Sequence, residues 1–499
     1  MFVNALKSRC LATKSFASFR QFSSTRSSLQ NALQYDVTII GAGIAGSSLA
    51  CALKSQEIFK NLKVAIVDPA PIKKIAEWNP PLDSFSNRTV QITNATQRFL
   101  KRVWDSVFQE RIQSYSKVVV SDFLGKSSVK FDDSVGTGND SAAFLIENIN
   151  LTSGCAKILT QTENSNVDVY TAKVEEISHY DASSETTVPP SEFSPKTQIY
   201  PQLSLSDNSC IRTRLLIGTD GANSVVRKFA NISHSVYPYE QSGLVACAMF
   251  SELNNTAYQR FLPTGPIVFL PHPNGFANLI WSIDNNVLSK LKNVSDETFV
   301  TLVNMAFRLR SYSDLEYILN SINEDGSIPE NFDLDKELEW CKRLSLDPSS
   351  QSSNPNEPIS LPPLVKSITK GSRQSFPYRL SNASTYYSHR IALVGDAAHT
   401  MHPLAGMGFN SGVYDIIELC KYISKAISNG EDIGSTEYVL KPYNSARYAA
   451  DVALQSYVDE LWHLFRSKNP IITTGRGIAM RLLDKFPLIK SQVVKQIMY

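Results

Sequence analysis

The longest apolar pattern near the start of the chain is Asp36-Val-Thr-Ile-Ile40, β-branched and almost unbroken. It predicts a strand covered on both faces, as in a parallel sheet. Ser47-Ser-Leu-Ala-Cys-Ala-Leu53 then reads as helix, and Lys63-Val-Ala-Ile-Val67 as a second buried strand. Arg214-Leu-Leu-Ile-Gly218 and Arg390-Ile-Ala-Leu-Val-Gly395 repeat the strand pattern, each ending in glycine. Ala246 to Phe250 and Ile267 to Leu270 are strand-like, and Phe269-Leu-Pro271 continues into Asn278-Leu-Ile-Trp281. A helix opens after Gly406 and ends at Asn429-Gly430, where glycine suits a helix C-terminus. From about 437 the pattern is helical, and its last stretch, Ile478 to Ile489, is apolar with interspersed lysines and arginines. That stretch fits packing on its own domain, a partner or a membrane surface.

No spanning segment is expected. Val37 to Leu53 carries no charge, but it contains Gly41, Gly43 and Gly46 and falls short of the ~20 apolar residues a spanning helix needs. Leu262 to Ile283 is broken by Pro263, Pro266, Pro271 and Pro273.

With 499 residues the chain is about three times a ~150-residue domain, which predicts two intertwined domains or three units. Lys plus Arg is 49 against 47 Asp plus Glu, so the basic surplus of a nucleic-acid binder is missing and no nucleic acid is expected. The 7 cysteines are scattered without a Cys-x-x-Cys pair, which argues against zinc and a disulfide framework. Residues 1–35 are set apart by Lys7, Arg9, Lys14, Arg20 and Arg26, many serines and no acid before Asp36. They resemble a mitochondrial transit peptide. Arg20-Gln-Phe-Ser23 resembles a matrix-processing site, with the mature start near Ser23.

Between the first strand and helix stands Gly41-Ala-Gly43-Ile-Ala-Gly46. Gly41 would make the tight turn, Gly43 would let a pyrophosphate approach, and Gly46 would allow close helix–strand packing. The helix N-terminus offers unpaired N–H groups to the phosphates. The second strand ends at Asp68, where an acid can hydrogen-bond an adenosine ribose. A dinucleotide is expected, and this motif alone leaves NAD and FAD open.

Two later motifs separate them. One is Gly218-Thr-Asp220-Gly221-Ala-Asn-Ser224 and the other is Gly395-Asp396-Ala-Ala-His399, followed by Met401-His-Pro403-Leu-Ala-Gly406-Met-Gly408-Phe-Asn410-Ser-Gly412. In this order they resemble the aromatic-ring hydroxylases, the flavoprotein monooxygenases typified by para-hydroxybenzoate hydroxylase. Ser86-Asn-Arg88-Thr-Val-Gln-Ile-Thr93, Leu145-Ile-Glu-Asn148 and Phe376-Pro377 resemble the ubiquinone-biosynthesis branch of that family.

The resemblance implies an α/β fold: a Rossmann-like FAD-binding domain (36–105, 142–235 and 385–430) interleaved with a mixed-sheet substrate domain (106–141 and 236–384), and a helical region from 437 to 499. FAD would be held by Gly41, Gly43, Gly46 and Asp68, with Arg88 at its phosphate or flavin edge and Asp220 on the pyrophosphate side. Asp396 would bind a ribityl hydroxyl and Pro403 would lie beside the reactive flavin carbon. Backbone N–H groups from Gly406, Met407, Gly408, Phe409 and Asn410 would face the flavin edge that becomes negative on reduction. Met407 stands where the branch usually has Gln; Met is tolerable if the backbone supplies the contacts, and flavin affinity or potential would differ if the Gln side chain also matters.

The implied reaction is hydroxylation of a polyprenylated phenolic ring by O2 through a flavin C4a-hydroperoxide, with no acid–base side chain required. The implied setting is the matrix face of the mitochondrial inner membrane, by peripheral contact, within a multi-subunit ubiquinone-biosynthesis complex. NADPH or a ferredoxin with its reductase would supply electrons, and no second glycine fingerprint chooses between them. Three alternatives stand beside this: a nicotinamide dehydrogenase, an isoprenoid epoxidase, and an inactive FAD-binding subunit. His399 and His402 look like a metal pair, but no carboxylate cluster accompanies them along the chain and no metal is expected. Trp104 and Trp281 are expected in the core. Ser/Pro-rich inserts at 181–194 and 346–363 read as surface loops.

Overall fold

A computed structural model describes residues 32–131, 143–161, 166–188, 198–309, 312–329, 332–346, 360–486 and 489–490. Five parallel strands form its first layer: β1 (Leu33–Ile40), β2 (Val64–Asp68), β3 (Val167–Thr171), β4 (Cys210–Gly218) and β5 (Ile391–Leu393), in the order β3-β2-β1-β4-β5. Their apolar runs are buried from both sides, by helix α1 (Ile44–Ser55) among others, so Val37, Ile39, Leu49, Ile66 and Leu215 lie in one core. Antiparallel strands Ile199–Leu205 and Val174–Asp181 extend the sheet beyond β4.

β1 takes in the last three residues of the expected leader. Leu33, Gln34 and Tyr35 pair with Ile211, Arg212 and Thr213, which draws the chain into the sheet ahead of Asp36. Residues 1–31, which carry the rest of the expected transit peptide, lie outside the described residues. Part of the first insert is also ordered as sheet rather than loop, because Thr186–Val188 pairs with His179–Asp181. Residues 189–194 and 347–359 of the two inserts lie outside the described residues.

A second, mixed sheet is built around the long strand His234–Phe250, flanked by Gln374–Ala383 and Phe276–Asp284. Gly265–Pro271 and Thr256–Leu262 follow, and the latter pairs in parallel with Lys117–Asp122. Ser127–Phe131 forms the edge. The two sheets thus draw on interleaved stretches of chain. Trp281 is fully buried in the second core, where Phe269 stacks on Phe307 at 4.8 Å. Trp104 lies in the first core.

A three-stranded sheet between them carries a buried ion pair. Arg111 Nε donates to Glu147 Oε2 at 2.6 Å, and Glu147 Oε1 accepts the Ser86 N–H at 2.6 Å. Arg111 also binds the Pro81 and Ser84 carbonyls. Two charges that need each other in low dielectric thereby pin the segment leading to Arg88.

Three helices complete the chain: α2 (Gly408–Ser428), α3 (Lys441–Arg466) and α4 (Pro470–Lys485). α2 ends at Asn429, and Gly430 takes φ +71°, as the Asn-Gly pair predicted. Among the described residues no helix is long and apolar enough to cross a membrane.

Gly46 is the tightest junction of the first layer. A Cβ there would sit 1.9 Å from the Gly41 carbonyl oxygen and 2.4 Å from Thr219 Oγ1. Gly46→Ala should therefore force β1, β4 and α1 apart, costing about 2 kcal/mol, and should lower the midpoint of thermal denaturation. An unchanged midpoint would contradict this packing.

Candidate functional site

The site is assembled where β1, β4 and β5 end. Gly41 turns with φ +100°, its N–H donating to the Val67 carbonyl. Asp68 braces the turn: Oδ2 accepts the Ala42 N–H and Oδ1 the Ala70 N–H, each at 2.7 Å. The expected ribose acceptor is therefore also a structural brace, and an ionised carboxylate keeps further lone pairs for a hydroxyl. Thr219 Oγ1 lies between the Ile40 and Gly41 carbonyls and locks β4 to the loop. Gly43 caps α1, and a Cβ there would meet nothing within 4 Å, so the helix N-terminus is open to an incoming anion.

Asp220 does two things. Its Oδ2 accepts the Val225 and Val226 N–H groups, capping the short helix Val225–Phe229, while its Oδ1 is buried with no partner among the described residues. A buried unpaired carboxylate oxygen calls for a donor. Gly221 beside it has φ +78° and faces open space.

On the other side of the cleft, Gly395 turns with φ +60° and Asp396 follows. The Asp396 side chain is exposed, yet surrounding protein pushes its carboxyl above the ordinary range, with His399 and Arg379 opposing. Pro403 is exposed at the start of a single helical turn, Pro403–Ala405, and Gly406 reverses the chain at φ +64°. α2 begins at Gly408, where a Cβ would again meet open space. The first N–H groups of α2 have no intrahelical acceptor.

Not every expected contact is available as a side chain. Asn410 is fully buried: Oδ1 accepts from Thr93 N at 3.1 Å and Thr96 Oγ1 at 2.8 Å, and Nδ2 donates to the Gln91 carbonyl. Its side chain locks α2 to the strand that follows Arg88 and is not available to a ligand. Met407 is buried and Phe409 packs partly on the first core. Arg88 is exposed and makes no side-chain hydrogen bond or ion pair among the described residues, while its carbonyl accepts the Asn148 N–H.

Sequence reasoning missed the group beneath this cleft. His399 Nε2 donates to Asp415 Oδ2 at 2.7 Å and lies 3.5 Å from Asp451 Oδ2. Arg447 binds Asp415 Oδ1 at 2.8 Å and also holds Asp451, which Ser411 contacts too. Asp415 Oδ2 further accepts the Gly395 N–H at 2.9 Å. A carboxylate cluster does accompany His399, against expectation, because α2 and α3 bring it from distant sequence. The two carboxylates are already balanced by imidazolium and guanidinium, so the trio reads as an ionic knot and not as a metal cage. His402 is not part of it.

Burial alone would discharge His399, but the charge and hydrogen bond of Asp415, aided by Asp451, raise it to about 9. Asp415 is lowered, since burial is outweighed by His399 and Arg447. Asp451 is raised to about 6 by burial and by Asp415. His402 is pulled down to about 3 by burial and is neutral. Its Nδ1 accepts the Leu404 N–H, its Nε2 has no partner, and it packs edge-on against Tyr239 and Tyr378.

Comparison with known proteins agrees with this geometry. Residues 362–452 match a family described as FAD binding domain. The chain is 34% identical over 468 residues to the ubiquinone biosynthesis monooxygenase COQ6, mitochondrial, of Schizosaccharomyces pombe, covering 93% of this chain and 92% of that protein. The proteins of the same name from Saccharomyces cerevisiae and Homo sapiens are 33% and 30% identical, each over 92% of both chains. The chain belongs to the COQ6 ubiquinone biosynthesis monooxygenase family. It is an FAD-dependent aromatic-ring monooxygenase. Its fold is shared with p-nitrophenol 4-monooxygenase PnpA from Pseudomonas putida DLL-E4, at TM-score 0.61 and 15% identity over 93% of this chain and 98% of that one. The aromatic hydroxylase CabE from angucycline biosynthesis matches at TM-score 0.53 and 15% identity, over 93% and 75%. The dehydrogenase alternative thereby falls away.

The ionic knot gives this monooxygenase a defined pH response. Because His399 is raised from 6.5 to about 9, its charged form contributes fully below pH 6.5, and the contribution is lost as pH climbs through about 9. Urea unfolding should show a loss of about 2 kcal/mol over that interval, and His399→Gln should flatten it. Equal slopes in both proteins would rule the knot out as the cause.

Proposed function

We propose that this monooxygenase hydroxylates the ring of a polyprenylated hydroxybenzoate-type precursor on the matrix face of the mitochondrial inner membrane. In this reading it works as a peripheral protein within a multi-subunit complex. The observations that support this reading are the open space beside Gly43, Gly221 and Gly408 at the strand ends, the Asp220 oxygen left without a partner among the described residues, and the exposed Asp396. These features fit a dinucleotide lying across the strand ends. FAD, when bound, would supply O2 activation and the transfer of one oxygen atom to the ring.

The chain's own residues bind, orient and exclude water. Gly41, Gly43 and Gly46 with the α1 N-terminus would take the pyrophosphate, assisted by Asp220, and Asp68 the ribose. Arg88 would offer its free guanidinium to phosphate or the flavin edge. Asp396 would accept from a ribityl hydroxyl, and Pro403 would pack beside the ring. The N–H groups from Gly406 through Met407, Gly408 and Phe409 to Asn410 would direct the positive end of α2 at its carbonyl edge, which favours added negative charge.

Beside Pro403, the half-buried Leu380 and Leu404 pack on the buried Tyr239, Tyr378 and Trp462, a wall suited to an aromatic substrate and poor in water. The neutral His402 belongs to that wall and would keep its proton on Nε2. Electrons would come from NADPH or from a reduced ferredoxin.

Purified protein should be yellow. Asp396→Ala should lower its FAD content at least severalfold with little loss of thermal stability. Anaerobic addition of NADPH and then of reduced ferredoxin identifies the donor by bleaching of the flavin band. Turnover of a prenylated phenol to its hydroxylated product with that donor is the expected result. A colourless protein that FAD cannot restore, or a flavoprotein that releases only peroxide with every prenylated phenol, would overturn the proposal.

A further inference from the structure

The C-terminal helix α4 is turned inside out. Its charged face is the one buried in the protein. Arg476 makes a bidentate pair with the buried Asp122, Nε to Oδ2 at 2.6 Å and Nη2 to Oδ1 at 3.0 Å. Gly477 packs against Gly125, where a Cβ would lie 2.4 Å from the Gly125 carbonyl oxygen. Asp484 accepts the Lys130 N–H at 3.0 Å. These contacts fix the helix on the Lys117–Asp122 and Ser127–Phe131 hairpin.

Met480 is buried on that face too and Leu483 is half-buried, while the helix's other large apolar side chains point the other way. Ile471 is 83% exposed, Ile478, Leu482 and Phe486 are each 50% exposed, and Ile489 is 52% exposed. Their spacing of three, four or seven puts them on one stripe of the helix and its continuation, with Gly475 and Ala479 between. An ordinary surface helix buries that stripe and exposes its charges. Here the polar anchors have been used to hold an apolar ridge in the open, which a helix surrounded only by water has no reason to do.

The charge around the ridge selects an occupant. From Lys468 to Lys490 the chain carries Lys468, Arg476, Arg481, Lys485 and Lys490 against the single acid Asp484. Asp484 lies 2.8 Å from Lys490 and Arg476 is matched by Asp122, while the exposed Lys485 stands in the last turn beside the stripe. An apolar ridge with a basic border is complementary to an anionic lipid surface. The ridge also follows α3 directly, whose Trp462 ring packs on Tyr239, 4.9 Å between centroids, in the wall beside Pro403.

We propose that the outward stripe of α4 is the surface by which the protein seats itself on an anionic bilayer, with Ile471, Ile478, Leu482 and Phe486 entering the acyl boundary and Lys485 meeting headgroups. This rests on the peripheral-membrane part of the reading above and assigns it a place.

The test is co-sedimentation of the FAD-loaded full chain with vesicles of phosphatidylcholine alone and of phosphatidylcholine with cardiolipin. Wild-type protein should pellet with the anionic vesicles. The double variant Ile478→Glu/Leu482→Glu should lose binding by about tenfold or more, and Leu253→Glu, at a site 81% exposed on the second sheet, should not. Flavin content and reductant-driven flavin bleaching should match wild type. Should the stripe variant lose flavin, Lys468→Glu/Lys485→Glu serves in its place, with the anionic preference as the readout. Equal binding by wild type and stripe variant would overturn the assignment and leave peripheral binding standing. Failure of wild type on both vesicles would overturn both. A wild-type dimer that the stripe variant splits would show the ridge to be covered by a second copy, which also overturns it.

Discussion

Two carboxylates, Asp415 and Asp451, are buried with no exposure at all, and much of the site depends on how they are compensated. Isolated, each would be driven to protonate, at a cost of several kcal/mol. They persist because His399 comes from the loop after β5, Arg447 from α3, and the Gly395 N–H from the loop itself. Each group is tolerable only when the others are in place. The knot therefore couples three separate pieces: the loop that carries Asp396, helix α2 and helix α3. Hydrophobic burial alone would leave these pieces free to slide, whereas charge pairs with fixed directions do not allow it.

A second buried pair does the same for the opposite lip. Arg111 and Glu147 hold the Pro81–Ser86 stretch, from which Arg88 projects. Asn410 then ties α2 to the strand after Arg88. Buried polar groups thus position the segments that carry Arg88 and Asp396, which are themselves exposed. The division of labour is visible in Asp220, where one oxygen caps a helix and the other remains unpaired among the described residues.

The parallel strands and the glycine turns were readable along the chain because they are local: β-branched runs, a turn that needs positive φ, an open helix end. The same holds for the strand runs around Phe269 and Trp281, and for the end of α2 at Asn429-Gly430. The ionic knot was not readable. His399, Asp415 and Arg447 look ordinary in sequence, and only the crossing of α2 and α3 reveals that they share one buried space. Arg447 and Asp451 four residues apart gave the nearest hint, but that spacing is common on exposed helices. The start of β1 at Leu33 was missed for a related reason, since its partners Ile211 to Thr213 lie far along the chain. The polarity of α4 escaped for a third: an amphipathic pattern gives the direction of two faces and does not say which is turned inward.

The Arg476–Asp122 pair has a further consequence. It joins residues 354 apart in sequence across the hairpin at the edge of the second sheet. α4 is therefore a structural member of the sheet edge. During synthesis Asp122 is made early and must wait, hydrated and unpaired, until Arg476 leaves the ribosome. The edge hairpin can reach its final packing only once the chain has been made through α4, so the last contact of the second sheet forms long after its edge strands have been made.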